Sequence, residues 1–376
     1  MRVLLDVSAV PDRPVGAGHY TVALASGLAA RTDVELHLLA RRNDHARWSR
    51  IAPAATVHGV APARRPDRLA WEQARGPALA KRLRADVWHG PHYTMPVRAG
   101  IPTVVTIHDL TFFDHPEWHE RSKVVFFRRM IRAAARRATV LVCVSEYTAD
   151  RLRAVVDPRG DVVVAYHGVD HDRFVAKGDD DADLATLGAH GIQPPYIAFM
   201  STIEPRKNVP TLVRAFARVA ESRPELRLVL AGSDGWGARA ARDAIAASGV
   251  ATRIIRPGYL ADADVPALFR QAAVVAYPSF EEGFGLPALE GLACGAPVVT
   301  TLGSALAEVA GDAALLVAPD DDAALARALT SALDDPEVAA RLRAAGPVRA
   351  ANFTWARCVE QHVDAYRHAT TAGVRA

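Results

Sequence analysis

Cysteine is scarce in this chain. Three residues, Cys143, Cys294 and Cys358, stand far apart in 376 positions; they show neither CxxC nor Cys/His ligand spacing, which excludes a disulfide framework and a cysteine-bound zinc site. All three read as buried thiols in a reducing compartment. Long apolar runs are missing as well, and the opening "MRVLLDVSAV" reaches Asp6 too soon for the core of a signal peptide. The expected location is therefore cytoplasmic. A net charge of +3 is too small to argue for nucleic acid, and no stacking aromatics interleave an extended basic face. Solenoid-type repeats are absent, and so is any GxxxxGK[ST] loop for a nucleoside triphosphate.

What is present is half apolar and long enough for two domains. Short Val/Leu/Ile/Ala runs alternate with amphipathic stretches, the pattern of parallel sheets covered by helices. Strands are expected at "RVLLDV", "VELHLL", "DVWH", "PTVVTI", "TVLVCV" and "DVVVAY", then at "YIAFM", "LRLVLAG", "TRIIRPG", "AVVAYP", "PVVT" and "AALLV". Between the two sets, residues 171–194 carry an acidic centre, glycines and a Pro-Pro end, and read as a linker. The expected architecture is α/β: one Rossmann-like domain over 1–175, a second over 190–350, and a C-terminal helix over 353–376 that packs back on the first.

Parallel sheets place ligands beyond the carboxyl ends of their strands, and the chemically informative residues follow strands here. In "PSFEEGFGLPALEGLACGAPVV", Glu282 precedes a glycine-bearing turn and Glu290 lies one turn into the helix that Pro287 starts. Two carboxylates so placed suit the vicinal hydroxyls of sugars and ribose, and the turn's backbone N–H groups suit an anion. In "STIEPRKNVPTLVRAF", Arg206 and Lys207 follow a strand and suit a diphosphate, with Asn208 expected to cap the next helix. "TVVTIHDLTFF" carries His108 from a strand into the ligand region with Asp109 beside it to orient it or to cap the strand end, and "WHGPHY" adds His89 and His92 as weaker candidates for wall or acceptor contacts. "VSAVPDRPVGAGHYTVAL" offers Gly16 and Gly18, but Thr21 stands where GxGxxG needs a third glycine. No metal ligand is expected: "DDDAD" lies in the linker, and "DADVPALF" reads as a helix start capped by Asp262 or Asp264. The helix around 120–137 gathers seven Lys and Arg residues about Val124, Phe127 and Ile131, which suits an anionic membrane surface or a solvated basic face.

With these residues in view, the chain resembles the family 4 glycosyltransferases, retaining enzymes of the GT-B fold whose two Rossmann-like domains face each other across a deep cleft. "EGFGLPALE" matches that family's paired glutamates, "EPRKN" its diphosphate loop, and "GLACGAPVVT" and "SALAEVAGDAALLV" its continuation; "TIHDLTFFDHPEW" and "VSEYTADRL" resemble bacterial O-antigen and exopolysaccharide enzymes, many of them mannosyltransferases. The resemblance implies that Glu282 contacts the donor sugar's hydroxyls, Glu290 the ribose, Arg206 and Lys207 the diphosphate, and His108 the sugar. It also implies that Gly16 and Gly18 approach the phosphates, that Gly283, Phe284, Gly285 and Leu286 cradle the donor, and that the backbone at Gly258 and Tyr259 meets the base. Many members carry an arginine where this chain has Thr202. The implied activity is transfer of a hexose, with GDP-mannose as the favoured donor and no cofactor, to a glycan or lipid-linked acceptor, in the cytoplasm or peripherally at the inner membrane face. The competing readings are a nucleotide-sugar epimerase of the same architecture and a non-catalytic nucleotide-sugar-binding protein.

Overall fold

In the computed structural model, which describes residues 1–373, the chain divides into two compact units. The first comprises Met1–Pro116, Arg121–Gly168 and the described chain from Trp355 to Gly373, the last residues of the helix expected over 353–376 lying outside the described residues; the second comprises Glu117–Glu120 and Val169–Thr354.

The first unit is built on strands β1 (Arg2–Asp6), β2 (Glu35–Arg41), β3 (Thr56–Ala61), β4 (Val87–Gly90), β5 (Thr103–Ile107), β6 (Val140–Cys143) and β7 (Asp161–Val164). They pair in parallel in the order β3-β2-β1-β4-β5-β6-β7. Val3, Leu4 and Leu5 of the central β1 are wholly buried, as a strand covered by helices on both faces requires. The edge strand β3, "TVHGVA", is only partly buried; its mixed polarity left it outside the expected set. The C-terminal helix Trp355–Gly373 belongs to this unit, and its Val359, Val363 and Tyr366 share a core with Leu24 and Leu28. Gly27 makes that approach feasible, because a Cβ there would lie 2.5 Å from Val359 Cγ2.

The second unit carries β8 (Tyr196–Met200), β9 (Arg227–Ala231), β10 (Ile254–Gly258), β11 (Val274–Tyr277), β12 (Val298–Thr301) and β13 (Ala314–Val317), parallel throughout in the order β10-β9-β8-β11-β12-β13. The segment read as a linker is folded into this unit. Asp179 accepts from the Ala182 backbone N–H at 3.1 Å and caps a helix over Asp180–Ala189 whose acidic first turn suits the helix dipole. Asp183, 5 % exposed, then receives both arms of Arg270 at 2.7 and 2.5 Å. Acidity that looks like low complexity in sequence is here a cap plus a buried bidentate ion pair.

The basic helix Arg121–Arg137 buries Val124, Ile131, Ala134 and Ala135. Arg128 donates from Nε to the Phe112 carbonyl at 2.6 Å, and Arg132 lies 5.1 Å over the Phe113 ring, so part of the basic set serves packing. Among the described residues no helix is long and apolar enough to cross a membrane. The three cysteines are free and buried.

Candidate active site

In the second unit, β11 ends at Tyr277 and the chain turns through Glu282 and Gly283 to Gly285, where the helix Leu286–Ala293 begins with Pro287 in its first turn. Gly285 has φ +97°, and a Cβ there would stand 2.4 Å from Leu306 Cδ2, so only glycine makes this corner. The loop after β8 is stitched to the same corner. Arg206 O accepts from the Phe280 backbone N–H at 2.8 Å. Asn208 precedes the helix Val209–Ala220 but does not cap it through its side chain. Its amide donates instead to the Pro278 carbonyl at 3.1 Å and to the Pro319 carbonyl. This corrects the expected capping role: the left-handed backbone at Asn208, φ 56°, turns the side chain toward the neighbouring loops.

Glu282 is buried at 6 % exposure. It accepts from Arg206 Nη1 at 2.6 Å and from Lys207 Nζ, and Lys207 donates also to the Tyr277 hydroxyl at 2.7 Å. Burial alone would raise the Glu282 carboxyl; Arg206 and Lys207 outweigh it and hold it at about 2. Burial and the adjacent Arg206 push Lys207 down to about 8, against the pull of Glu282. Glu204 also stands 3.5 Å from Arg206 Nε, so two carboxylates face two cations at this loop; Glu282 is the buried one, and Arg206 and Lys207 are the donors an anionic group can use.

Glu290 differs. It is half-buried, and its carboxylate accepts no hydrogen bond among the described residues. Burial pushes it up to about 7, with Arg173 opposing and Asp262 adding to the rise. Arg173 donates from Nη2 to the Asp262 carbonyl at 2.5 Å. A carboxyl so placed, with unused acceptors, is a candidate ligand contact. Asp264 precedes the helix Val265–Arg270 without a side-chain cap; its carboxylate faces His190 at 2.9 Å, which corrects its expected capping role. Gly258 ends β10 with φ +77° and Tyr259 is 40 % exposed, while the Gly232 backbone N–H donates to the Gly258 carbonyl at 2.7 Å. Phe284 is buried, edge-on to Phe353 at 5.8 Å, and Leu286 is half-buried.

In the first unit, His108 follows β5 at 9 % exposure. Its Nε2 lies 2.7 Å from the Pro91 carbonyl. A carbonyl only accepts, so Nε2 carries the proton and Nδ1 is an acceptor, with no partner among the described residues. Burial pushes its pKa down, keeping the ring neutral. Asp109 does not orient it: its Oδ1 accepts from the Thr111 hydroxyl at 2.9 Å and backbone N–H at 3.3 Å, a capping contact. His89, fully enclosed, is bonded to Thr106 and Tyr366 at 2.8 and 2.7 Å, so it supports the wall from behind rather than meeting a ligand. The His92 ring stands 5.4 Å from that of His108, and its buried Nε2 has no partner. Gly16 begins the helix Ala17–Ala29 with φ +47°, and Gly18 is buried where a Cβ would crowd Pro14 at 3.0 Å.

The structure thus brings Arg206, Lys207 and Glu282 into one cluster, and gathers His89, His92 and His108 in another within the first unit. Tyr277, Arg173 and Tyr20 were missed in sequence. Tyr277 ends a strand, a usable signal; the other two carry none. Among the described residues, no group of three His, Cys, Asp or Glu side chains is placed to hold a metal ion.

Two parallel-sheet Rossmann-like units, with carboxylates and cations at strand ends of the second, define the GT-B class. Residues 14–173 match the family described as Glycosyltransferase Family 4 and residues 188–349 match Glycosyl transferases group 1, and the chain belongs to the family 4 glycosyltransferases. It is 29 % identical over 283 residues to O-antigen chain mannosyltransferase B of Escherichia coli, covering 75 % of this chain and 74 % of that one. It is 32 % identical over 301 residues to a D-inositol 3-phosphate glycosyltransferase of Salinispora tropica, covering 72 % of this chain but 60 % of the relative's length. The sucrose-phosphate synthase structure from Thermosynechococcus elongatus superposes with a TM-score of 0.81 at 21 % identity, over 99 % of both chains; at that identity the likeness concerns the fold.

Proposed function

We propose that this chain is a retaining hexosyltransferase that moves α-mannose from GDP-mannose to a hydroxyl of a glycan or lipid-linked acceptor in cell-envelope synthesis. The observation that carries the reading is the Arg206–Glu282–Lys207 cluster, two cations at a strand end gathered on one buried carboxylate, with the partner-free carboxylate of Glu290 on the helix that follows the Glu282 turn. Arg206 and Lys207 hold the diphosphate and stabilise it as it departs, the service a divalent ion otherwise performs. Glu290 accepts from the ribose hydroxyls, and Glu282 fixes both cations while facing the sugar. His108 accepts a sugar hydroxyl at Nδ1. Gly16 and Gly18 let backbone approach phosphate, and the backbone at Gly258 and Tyr259 meets the base. The C1–O bond to the phosphate breaks, the acceptor oxygen bonds C1 from the same face, and the acceptor's proton goes to the departing phosphate oxygen. The O-antigen relative supports mannose as the sugar, and the exposed Arg129, Arg136 and Arg137 support peripheral contact with anionic lipid at the inner face of the membrane.

The test is donor binding: thermal shifts with GDP-mannose, UDP-glucose, UDP-N-acetylglucosamine and dTDP-rhamnose, with and without chelator, beside Glu290→Ala. A selective, chelator-resistant shift that the variant loses supports donor and site together; a shift that appears only with metal overturns the cation assignment. Incubation with donor alone separates an epimerase, which returns an altered nucleotide sugar. A covalent glycosyl adduct on a carboxylate would overturn the front-face displacement.

A further inference from the structure

Five enclosed polar side chains of the first unit, Tyr20, His89, Thr106, His362 and Tyr366, are each 0 % exposed. Their hydrogen bonds have one consistent direction, fixed from a carbonyl end. The Cys358 carbonyl only accepts, so His362 donates to it from Nδ1 at 2.7 Å, which leaves Nε2 to accept from the Tyr20 hydroxyl at 2.8 Å. With its proton so placed, the Tyr20 oxygen accepts from the Thr106 hydroxyl at 2.9 Å. The Thr106 oxygen in turn accepts from His89 Nε2 at 2.8 Å, and His89 Nδ1 accepts from the Tyr366 hydroxyl at 2.7 Å. Every donor then has an acceptor, provided both imidazoles are neutral. Burial keeps them so: His362 is held at about 4, and His89 well below its usual value.

Such a network confers little stability over an apolar core of the same shape, and it is costly when one member is lost. Its placement gives it a purpose. His89 lies on β4 two residues before Pro91, and Thr106 lies on β5 two residues before His108. The bond between them therefore ties together the two strand ends that bring the Pro91 carbonyl to His108 Nε2. Tyr20, held at its hydroxyl by Thr106 and His362, stands edge-on to the His108 ring at 5.3 Å and 76°. Both ends of the chain of bonds lie on the C-terminal helix Trp355–Gly373.

We infer that this directional chain of hydrogen bonds, with Thr106 and Tyr20 at its centre and the C-terminal helix at both ends, is a positioning device that holds His108 as a single tautomer with Nδ1 presented. Its catalytic consequence rests on the proposed role of His108 toward the sugar; its structural content does not. Thr106→Val keeps the side chain's shape and removes the central hydroxyl, and Thr106→Ser restores it.

Selective 15N NMR of the histidines reads the outcome directly in the full chain. In the wild type, His89 and His108 carry the proton on Nε2 and His362 on Nδ1. In Thr106→Val, His108 shows a mixed tautomer signal, while the thermal shift produced by GDP, bound by the second unit, is unchanged. With GDP-mannose as substrate, kcat falls about tenfold or more and the donor KM moves by less than about threefold, and Thr106→Ser recovers both the tautomer and kcat. A wild-type pattern of opposite tautomers, or an unaltered His108 signal in Thr106→Val, overturns the inference. If Thr106→Val does not fold, Tyr20→Phe is read by the same signals with the same expected outcome. Failure of GDP-mannose to turn over at all refutes the donor assignment and leaves the tautomer result standing.

Discussion

Glu282→Gln is the most informative single change, because the carboxylate it removes holds two cations. Burial and the adjacent Arg206 already bring Lys207 from 10.5 to about 8, so keeping it charged at neutral pH costs about 3 kcal/mol in the wild type. Its folded value lies below the unfolded one. Between the two, the unfolded chain binds more protons, and stability rises with pH across that window. Removing Glu282 deletes the stronger of the two carboxylates, Glu282 and Glu204, that raise Lys207, so the window extends below its present lower edge near pH 8 and toward neutrality. It also leaves a buried ammonium, 4 % exposed, facing Arg206 with no carboxylate between them.

Breaking a buried ion pair from one side costs about 3–5 kcal/mol, which for a unit of this size corresponds to a fall of about 6–20 °C in Tm. The assay is thermal unfolding of both proteins across neutral to alkaline pH, with and without GDP. The variant should be destabilised most at neutral pH and recover part of the deficit as pH rises. GDP should stabilise it by more degrees than it does the wild type, because a diphosphate replaces the missing negative charge. A variant within about 2 °C of wild type and lacking a pH slope would refute the reasoning: Lys207 would then not be held charged by Glu282.

Three further outcomes are expected. Glu290 is pushed up to about 7, and on the proposed ribose contact a carboxylate accepts best when ionised, so calorimetric affinity for GDP should weaken as pH falls through that value; Glu290→Gln should bind more weakly and without that pH dependence. Gly285→Ala forces a Cβ to within 2.4 Å of Leu306 at φ +97°, and it should cost at least about 1–2 kcal/mol in urea unfolding and weaken GDP binding through displacement of the helix start. Asp183→Ala leaves the Arg270 guanidinium without its bidentate partner and should destabilise the second unit by about 3 kcal/mol without altering GDP affinity at matched folded fraction, measured by denaturant titration.

The parallel sheets were legible because a strand covered on both faces must be apolar along its length, and every such strand was found. Edge strand β3 escaped because His58 and Gly59 interrupt the run and its burial is partial. The acidic segment was misread for a related reason: Asp183 is matched by Arg270, far along the chain, and a window of sequence shows the charge without its partner. The candidate site was legible as residue types at strand ends but not as partnerships. Arg206, Lys207 and Glu282 were each noticed, yet their shared geometry depends on two loops meeting. His108 was noticed with the wrong orienting group, since Asp109 is engaged by Thr111 and the nearby carbonyl of Pro91 takes the imidazole proton.

The same distinction explains why the class of enzyme emerges more readily than its donor. A diphosphate is common to all nucleoside diphosphate sugars, and the groups suited to it here are side chains, Arg206 and Lys207, whose identity sequence records. The base is expected along the backbone at Gly258 and Tyr259, where β10 ends in a left-handed glycine, φ +77°. Peptide N–H and C=O groups there are the same chemical groups whatever residues surround them, so a base held there as proposed is read by the path of the chain rather than by residue identity. On the proposed base contact, substitutions of Tyr259 should alter the discrimination between GDP and UDP sugars less than changes that move the Gly258 backbone, such as Gly258→Ala, measured by comparing donor-induced thermal shifts.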